Sequence, residues 1–96
     1  MYNQDLIKKN REEILLIAKK YGVISIKLFG SSIRNEDTPS SDIDLFVDFE
    51  DTRSLFDLIG FKNELEELLG KSVDVVTVKG VHPLMKEQIE TEAVKL

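Results

Sequence analysis

Residues 30–49 read GSSIRNEDTPSSDIDLFVDF. The second half, from Asp42, alternates apolar and polar residues in the way a strand does, with Ile43, Leu45, Val47 and Phe49 on one face and Asp42, Asp44, Phe46 and Asp48 on the other. Alternate side chains of a strand share a face. Asp42 and Asp44 therefore point the same way, about 6.6 Å apart along the chain. The first half opens with Gly30-Ser31, a small-residue turn that can bring backbone N–H groups close to a phosphate. Two carboxylates aimed at one spot can hold divalent cations. Turn and pair together are the minimum apparatus for phosphoryl or nucleotidyl transfer.

Working outward from this stretch, residues 23–29 alternate as well, with Ile24, Ile26 and Leu28 facing one way and Ser25 and Lys27 the other, which predicts a half-buried strand ending at Gly30. Ahead of it, residues 5–21 carry Ile7, Ile14, Ala18 and Tyr21 on one helical stripe, with Gly22 as the stop. Ser31 or Ser32 can cap a short helix through Asn35, and residues 36–41 form a Pro-Ser loop. Downstream, Ser54 with Asp57 three residues on reads as a capping box. The helix it starts runs to Leu69 and is expected to bury Leu55, Leu58, Ile59, Leu65, Leu68 and Leu69, with a kink at Gly60 and an end at Gly70. Residues 72–78, SVDVVTV, form a third strand, apolar enough to be covered on both faces. Pro83 opens a last helix to Glu92, with Met85, Ile89 and Ala93 inward. The order α-β-α-β-α-β-α defines an α+β fold, a small mixed sheet flanked by helices.

The chain has 96 residues, of which 42% are hydrophobic, enough for one small domain over 1–96. So small a domain leaves little room for both a catalytic centre and a full substrate pocket, which points to a partner or to self-association. Formal net charge is −5 and no basic run occurs, which argues against unaided binding to duplex nucleic acid. There are no cysteines, which excludes disulfides and thiolate metal sites and suits a reducing cytoplasm. No stretch approaches the length that crosses a membrane, and the start shows no signal-peptide pattern.

Asp74 interrupts the apolar third strand. A charge there is costly unless paired or metal-bound. If this strand lies beside the second, Asp74 converges with Asp42 and Asp44. Three clustered carboxylates raise one another's pKa, and a divalent cation reverses that penalty. Oxygen-only ligands favour Mg²⁺ or Mn²⁺ over zinc. Taken singly, a D-x-D pair, a Gly-Ser turn or a strand aspartate is an ordinary structural feature. Their combination is specific.

Gly30-Ser31-x-x-Arg34, then Ser41-Asp42-Ile43-Asp44-Leu45-x-Val47, then Val73-Asp74-Val75-Val76-Thr77 resemble the minimal nucleotidyltransferases of the DNA polymerase β-like superfamily, over nearly the whole chain. Ile33 and Asn35 depart from the usual alanine and glycine, and neither change removes a catalytic group. The resemblance implies a polymerase β palm-like fold and transfer of a nucleoside monophosphate from a triphosphate, ATP for AMP transfer, with two Mg²⁺ ions. Asp42 and Asp44 would hold both ions. Asp74 would complete the site of the ion that activates the attacking hydroxyl. Gly30 and Ser31 would cradle phosphates, Arg34 would add charge there, and Ser41 would orient Asp42 or touch phosphate. Similar small proteins are commonly antitoxins paired with a helical HEPN-type toxin, and the resemblance implies AMP transfer to a tyrosine of that toxin; an acidic chain fits a basic partner.

Two other readings stand beside this one: a non-catalytic module that blocks its partner by binding, and a transferase acting on a small molecule of the aminoglycoside type. An uncompensated acidic cluster argues against the first, and the lack of a second domain against the other. Asp48, Arg53 and Lys79 read as solvated surface, His82 as a helix-entry residue, and Phe46 as a side chain covered by a helix or a partner.

Overall fold

The computed structural model describes residues 2–30 and 42–96. In chain order its elements are α1 (Asn3–Lys9), α2 (Arg11–Lys20), β1 (Val23–Phe29), β2 (Ile43–Phe49), α3 (Leu55–Leu69), β3 (Val73–Thr77), α4 (Pro83–Glu92) and β4 (Val94–Lys95). The sheet order is β3-β2-β1-β4. β2 pairs antiparallel with β1 and parallel with β3, while β4 runs antiparallel to β1, so the sheet is mixed as expected. The short helix expected after Gly30 and the Pro-Ser loop lie outside the described residues.

One face of the sheet carries the core. Ile43, Leu45 and Val47 of β2 and Val73 of β3 meet Ile7, Ile14 and Ala18 from α1 and α2 and Phe61, Leu65 and Leu69 from α3. The inward stripe read from Ile7, Ile14 and Ala18 holds, but not as one helix. Asn10 breaks it, with φ −106° and ψ 17°. Its side-chain amide donates to the Leu6 carbonyl at 2.9 Å, so the asparagine satisfies the end of α1 locally instead of continuing the helix.

Four further expectations need correction. Ile24 is 64% exposed, because the β1–β2 register slips between Val23 and Ser25 and turns Ile24 off the face of Ile26 and Leu28. In α3 the inward residue is Phe61, which meets Phe49 edge to face at 6.0 Å, while Leu55 and Ile59 are exposed. The stripe of α3 therefore runs through 61, 65 and 69. Met85 of α4 is exposed, and Ile89 alone of that helix is buried. β3 is an edge strand with only Val73 buried, not a strand covered on both faces.

The capping box holds: the Ser54 N–H donates to the Asp57 carboxylate at 3.0 Å. α3 is continuous through Gly60, so the glycine makes no break there. It serves close approach instead. A Cβ at Gly60 would lie 2.5 Å from Cε1 of Tyr21. The Tyr21 hydroxyl donates to Glu64, and the Lys20 ammonium joins it at 3.0 Å. Hydrogen bonding from Tyr21, then from Lys20, holds the Glu64 carboxyl below its usual range. Gly60→Ala should therefore destabilise the fold. Overpacking costs about 1–3 kcal/mol, which outweighs the roughly 1 kcal/mol that alanine gains in helix propensity. The urea midpoint should fall, and a rise would show that the ring yields freely.

Candidate active site

Strand direction assembles the site. β1 enters antiparallel to β2, and β3 runs parallel to it. The C-terminal end of β1 and the N-terminal starts of β2 and β3 thus share one edge of the sheet. In register, Phe29 lies opposite Asp44, and Asp44 opposite Asp74. Gly30 follows Phe29 directly, and Asp42 immediately precedes β2. Four of the expected site residues, Gly30, Asp42, Asp44 and Asp74, are thereby brought together. The other three, Ser31, Arg34 and Ser41, lie outside the described residues.

Gly30 has φ +75°, in the left-handed region that favours glycine. A Cβ on it would stand 2.5 Å from Oδ2 of Asp44. The turn residue and the carboxylate are thus in direct steric contact, and only a residue without a side chain leaves the Asp44 carboxylate where it is.

Asp44 is half-buried, whereas Asp42 and Asp74 are exposed. Burial first, then the charges of Asp74 and Asp42, push the Asp44 carboxyl above the ordinary carboxylate range. The desolvated member is therefore Asp44. Asp74, read from the sequence as the costly charge, sits at the exposed start of an edge strand. No lysine or arginine among the described residues is ion-paired with any of the three. Nor does any group of three His, Cys, Asp or Glu side chains among those residues gather closely enough to cage a metal ion. The three carboxylates share one edge of the sheet, with Asp44 and Asp74 opposite each other in register. Their donor set, all carboxylate oxygen and without a cationic partner among the described residues, suits a hard divalent cation.

A cleft of about 680 Å³ opens beside this edge, lined by Phe29 and Gly30 and by Leu84, Glu87 and Gln88 of α4, among others. A second, of about 350 Å³, lies at the far end of β2, among Asp48, Arg53, Leu55 and Lys79. It is remote from the acidic edge, and the residues around it are tied up structurally. Arg53 bridges Glu50 and Asp57 at 3.1 and 3.4 Å, and Lys79 pairs with Asp51. Asp48 is half-buried there, opposite Ser25. His82 caps α4, its Nδ1 accepting from the Leu84 N–H at 3.2 Å. Phe46 is buried within the chain, in register between Lys27 and Val76.

One residue near the site was not legible as such. Asn3, at the start of α1, is fully buried, and its amide donates to the Asp42 carbonyl at 3.1 Å. The signal was present in the spacing. Asn3 lies four residues before Ile7, on the inward stripe, where a polar residue needs a buried partner. Among the described residues, no helix is long and apolar enough to cross a membrane.

The nucleotidyltransferase domain family model matches residues 11–96. A candidate protein adenylyltransferase of Methanocaldococcus jannaschii, MJ0435, is 48% identical over 88 residues, which cover 92% of this chain and 95% of that protein. A solved structure of a candidate minimal nucleotidyltransferase superposes with a TM-score of 0.88 at 38% identity, covering 96% of this chain and 94% of that one. A variant of the toxin–antitoxin complex MntA–HpeT superposes with a TM-score of 0.69 at 26% identity, covering 91% of this chain and 70% of that one.

Proposed function

The chain belongs to the nucleotidyltransferase domain family, and from that premise we propose that it is a Mg²⁺-dependent protein adenylyltransferase, moving AMP from ATP to a hydroxyl of a partner protein. The observation that carries the reading is the register of Asp44 with Asp74, set beside a Gly30 turn that touches Asp44. The unit of activity is the single domain 1–96, working in the cytoplasm, where ATP and Mg²⁺ are available.

Asp42, Asp44 and Asp74 would hold Mg²⁺, which when bound neutralises the triphosphate and acidifies the acceptor hydroxyl. The remaining work falls to the chain. Gly30 and Ser31 offer backbone N–H groups and a hydroxyl to the phosphates, and Arg34 adds charge to them. Ser41 steadies Asp42 or meets a phosphate. The acceptor oxygen bonds to the α-phosphorus as the bond to the β-phosphate oxygen breaks, and pyrophosphate leaves. The acceptor's proton passes to the Asp74 carboxylate, which is exposed and so within reach of a macromolecular acceptor.

The partner we propose is a HEPN-type toxin encoded next to this chain, whose AMP-modified form is inactive. The name of the M. jannaschii relative supports a protein acceptor, and the MntA–HpeT likeness supports a toxin. A net charge of −5 suits a basic, RNA-cleaving partner. Incubated with Mg²⁺, α-labelled ATP and the neighbouring gene product, the chain should label that product. The label should disappear with Asp42→Asn. Neutralisation that survives Asp42→Asn with no label transferred would replace the enzyme with a binding module.

A further inference from the structure

We propose that Asn3 is a positioning residue of the carboxylate centre, acting through the backbone of Asp42, and that it sets the affinity of that centre for a divalent cation. The inference rests on the reading above that Asp42, Asp44 and Asp74 take such an ion. Asn3 is 0% exposed. Its Nδ2 donates to the Asp42 carbonyl at 3.1 Å, and its Oδ1 accepts from the Lys71 ammonium. The other end of the same peptide unit is held too, because the Ile43 N–H donates to the Ser72 carbonyl at 3.0 Å. A peptide unit is planar and stiff. With its carbonyl and its N–H both engaged, the unit joining Asp42 to Ile43 has one orientation, and that orientation aims the Asp42 side chain.

The same two contacts tie the start of β2 to the segment leading into β3. Lys71 and Ser72 lie three and two residues before Asp74. Asn3 therefore braces the two chain segments that deliver Asp42 and Asp74, from sequence separations of 39 and 68 residues. Lys71 in turn fixes which end of the Asn3 amide faces the Asp42 carbonyl, since an ammonium can only donate. α1, which carries Asn3, lies ahead of residues 11–96, where the family model matches.

Asn3→Asp separates positioning from charge. It keeps the shape and the acceptor for Lys71, but it sets an oxygen against the Asp42 carbonyl where a donor was. An added negative charge alone would tighten cation binding. Loss of a brace behind a metal ligand weakens it, typically by about 10–100-fold. Mn²⁺ titration followed by electron paramagnetic resonance, on the chelator-stripped full chain, reads the difference. Wild type should bind Mn²⁺, Asp44→Asn should not, and Asn3→Asp should bind about 10–100-fold more weakly with its circular dichroism unchanged. Lys71→Met, which releases the amide but leaves the core intact, should weaken binding by a smaller factor, and it carries the test if Asn3→Asp does not fold. Unchanged or tighter Mn²⁺ binding in a folded Asn3→Asp, or unchanged binding in Lys71→Met, overturns the positioning role. Failure of wild type itself to bind Mn²⁺ overturns the carboxylate reading on which the proposal stands.

Discussion

Asp44→Asn should abolish nucleotidyl transfer while making the metal-free protein more stable. Both effects come from one environment. Asp44 is the half-buried member of the three carboxylates, and burial together with Asp74 and Asp42 raises its pKa. An acid whose folded pKa lies above its unfolded value binds protons more readily in the folded state. Stability then falls as pH rises through the folded pKa, and the penalty is full above it. Below the unfolded pKa the penalty vanishes. Asparagine removes the charge, and its amide can donate to Asp74. At neutral pH in chelator, Asp44→Asn should therefore melt higher than wild type, by no more than about 1 kcal/mol because the carboxylate is still partly solvated. The gap should close as the solution is acidified below the ordinary carboxylate range. Transfer should fall by about 10²–10³-fold or more, the scale of losing a group aimed at developing charge. A variant that melts lower than wild type at neutral pH would show that Asp44 stabilises the fold, contrary to its environment here.

Gly30→Ala should be the most damaging substitution of a residue that carries no charge. The new Cβ would stand 2.5 Å from the Asp44 carboxylate oxygen, and the backbone there has φ +75°. An L-residue in the left-handed region costs about 1–2 kcal/mol. The larger effect is on chemistry. Either the turn or the carboxylate must move, and a displacement of about 1 Å near the reacting atoms can cost about 10²-fold in rate. Raising Mg²⁺ should not restore the activity, since the distortion reaches the Gly30 turn as well as the Asp44 carboxylate. Near-normal turnover in Gly30→Ala would separate Gly30 from the site.

The sequence made the centre of this molecule readable because its two strongest signals are local. The alternation of residues 43–49 fixes which face Asp42 and Asp44 share, and the position of Asp74 on an apolar strand marks it before its neighbours are known. The register that joins Asp44 to Asp74 is a pairing across strands, and the sequence could only pose it as a condition. What failed was decided by competition between distant parts. Ile24 alternates perfectly, yet a register slip against β2 turns it outward. Leu55 and Ile59 have the right period for a buried stripe, but Phe61 takes the inward place against Phe49 and both stay exposed. The period of residues 5–21 runs through Asn10, whose amide turns back on Leu6 and divides the helix. β4 pairs with β1 only through Lys27 and Leu28, too few residues to leave a period in the sequence. Asn3's place on the inward stripe can be read from its spacing to Ile7, but its role cannot, for a similar reason. Its partners are 39 and 68 residues away, and nothing beside it in the chain announces them.

The bond that breaks in ATP tests the central claim most directly. The chain, Mg²⁺ and the neighbouring gene product should be given ATP labelled at the α-phosphate in one reaction and at the γ-phosphate in another. If the edge formed by Gly30, Asp42, Asp44 and Asp74 is a nucleotidyl-transfer centre, the protein acceptor gains label from the α-phosphate only. The γ-label then appears in pyrophosphate, and both signals vanish with Asp44→Asn. Label reaching the acceptor from the γ-phosphate, or α-label transfer undiminished in Asp44→Asn, would contradict it.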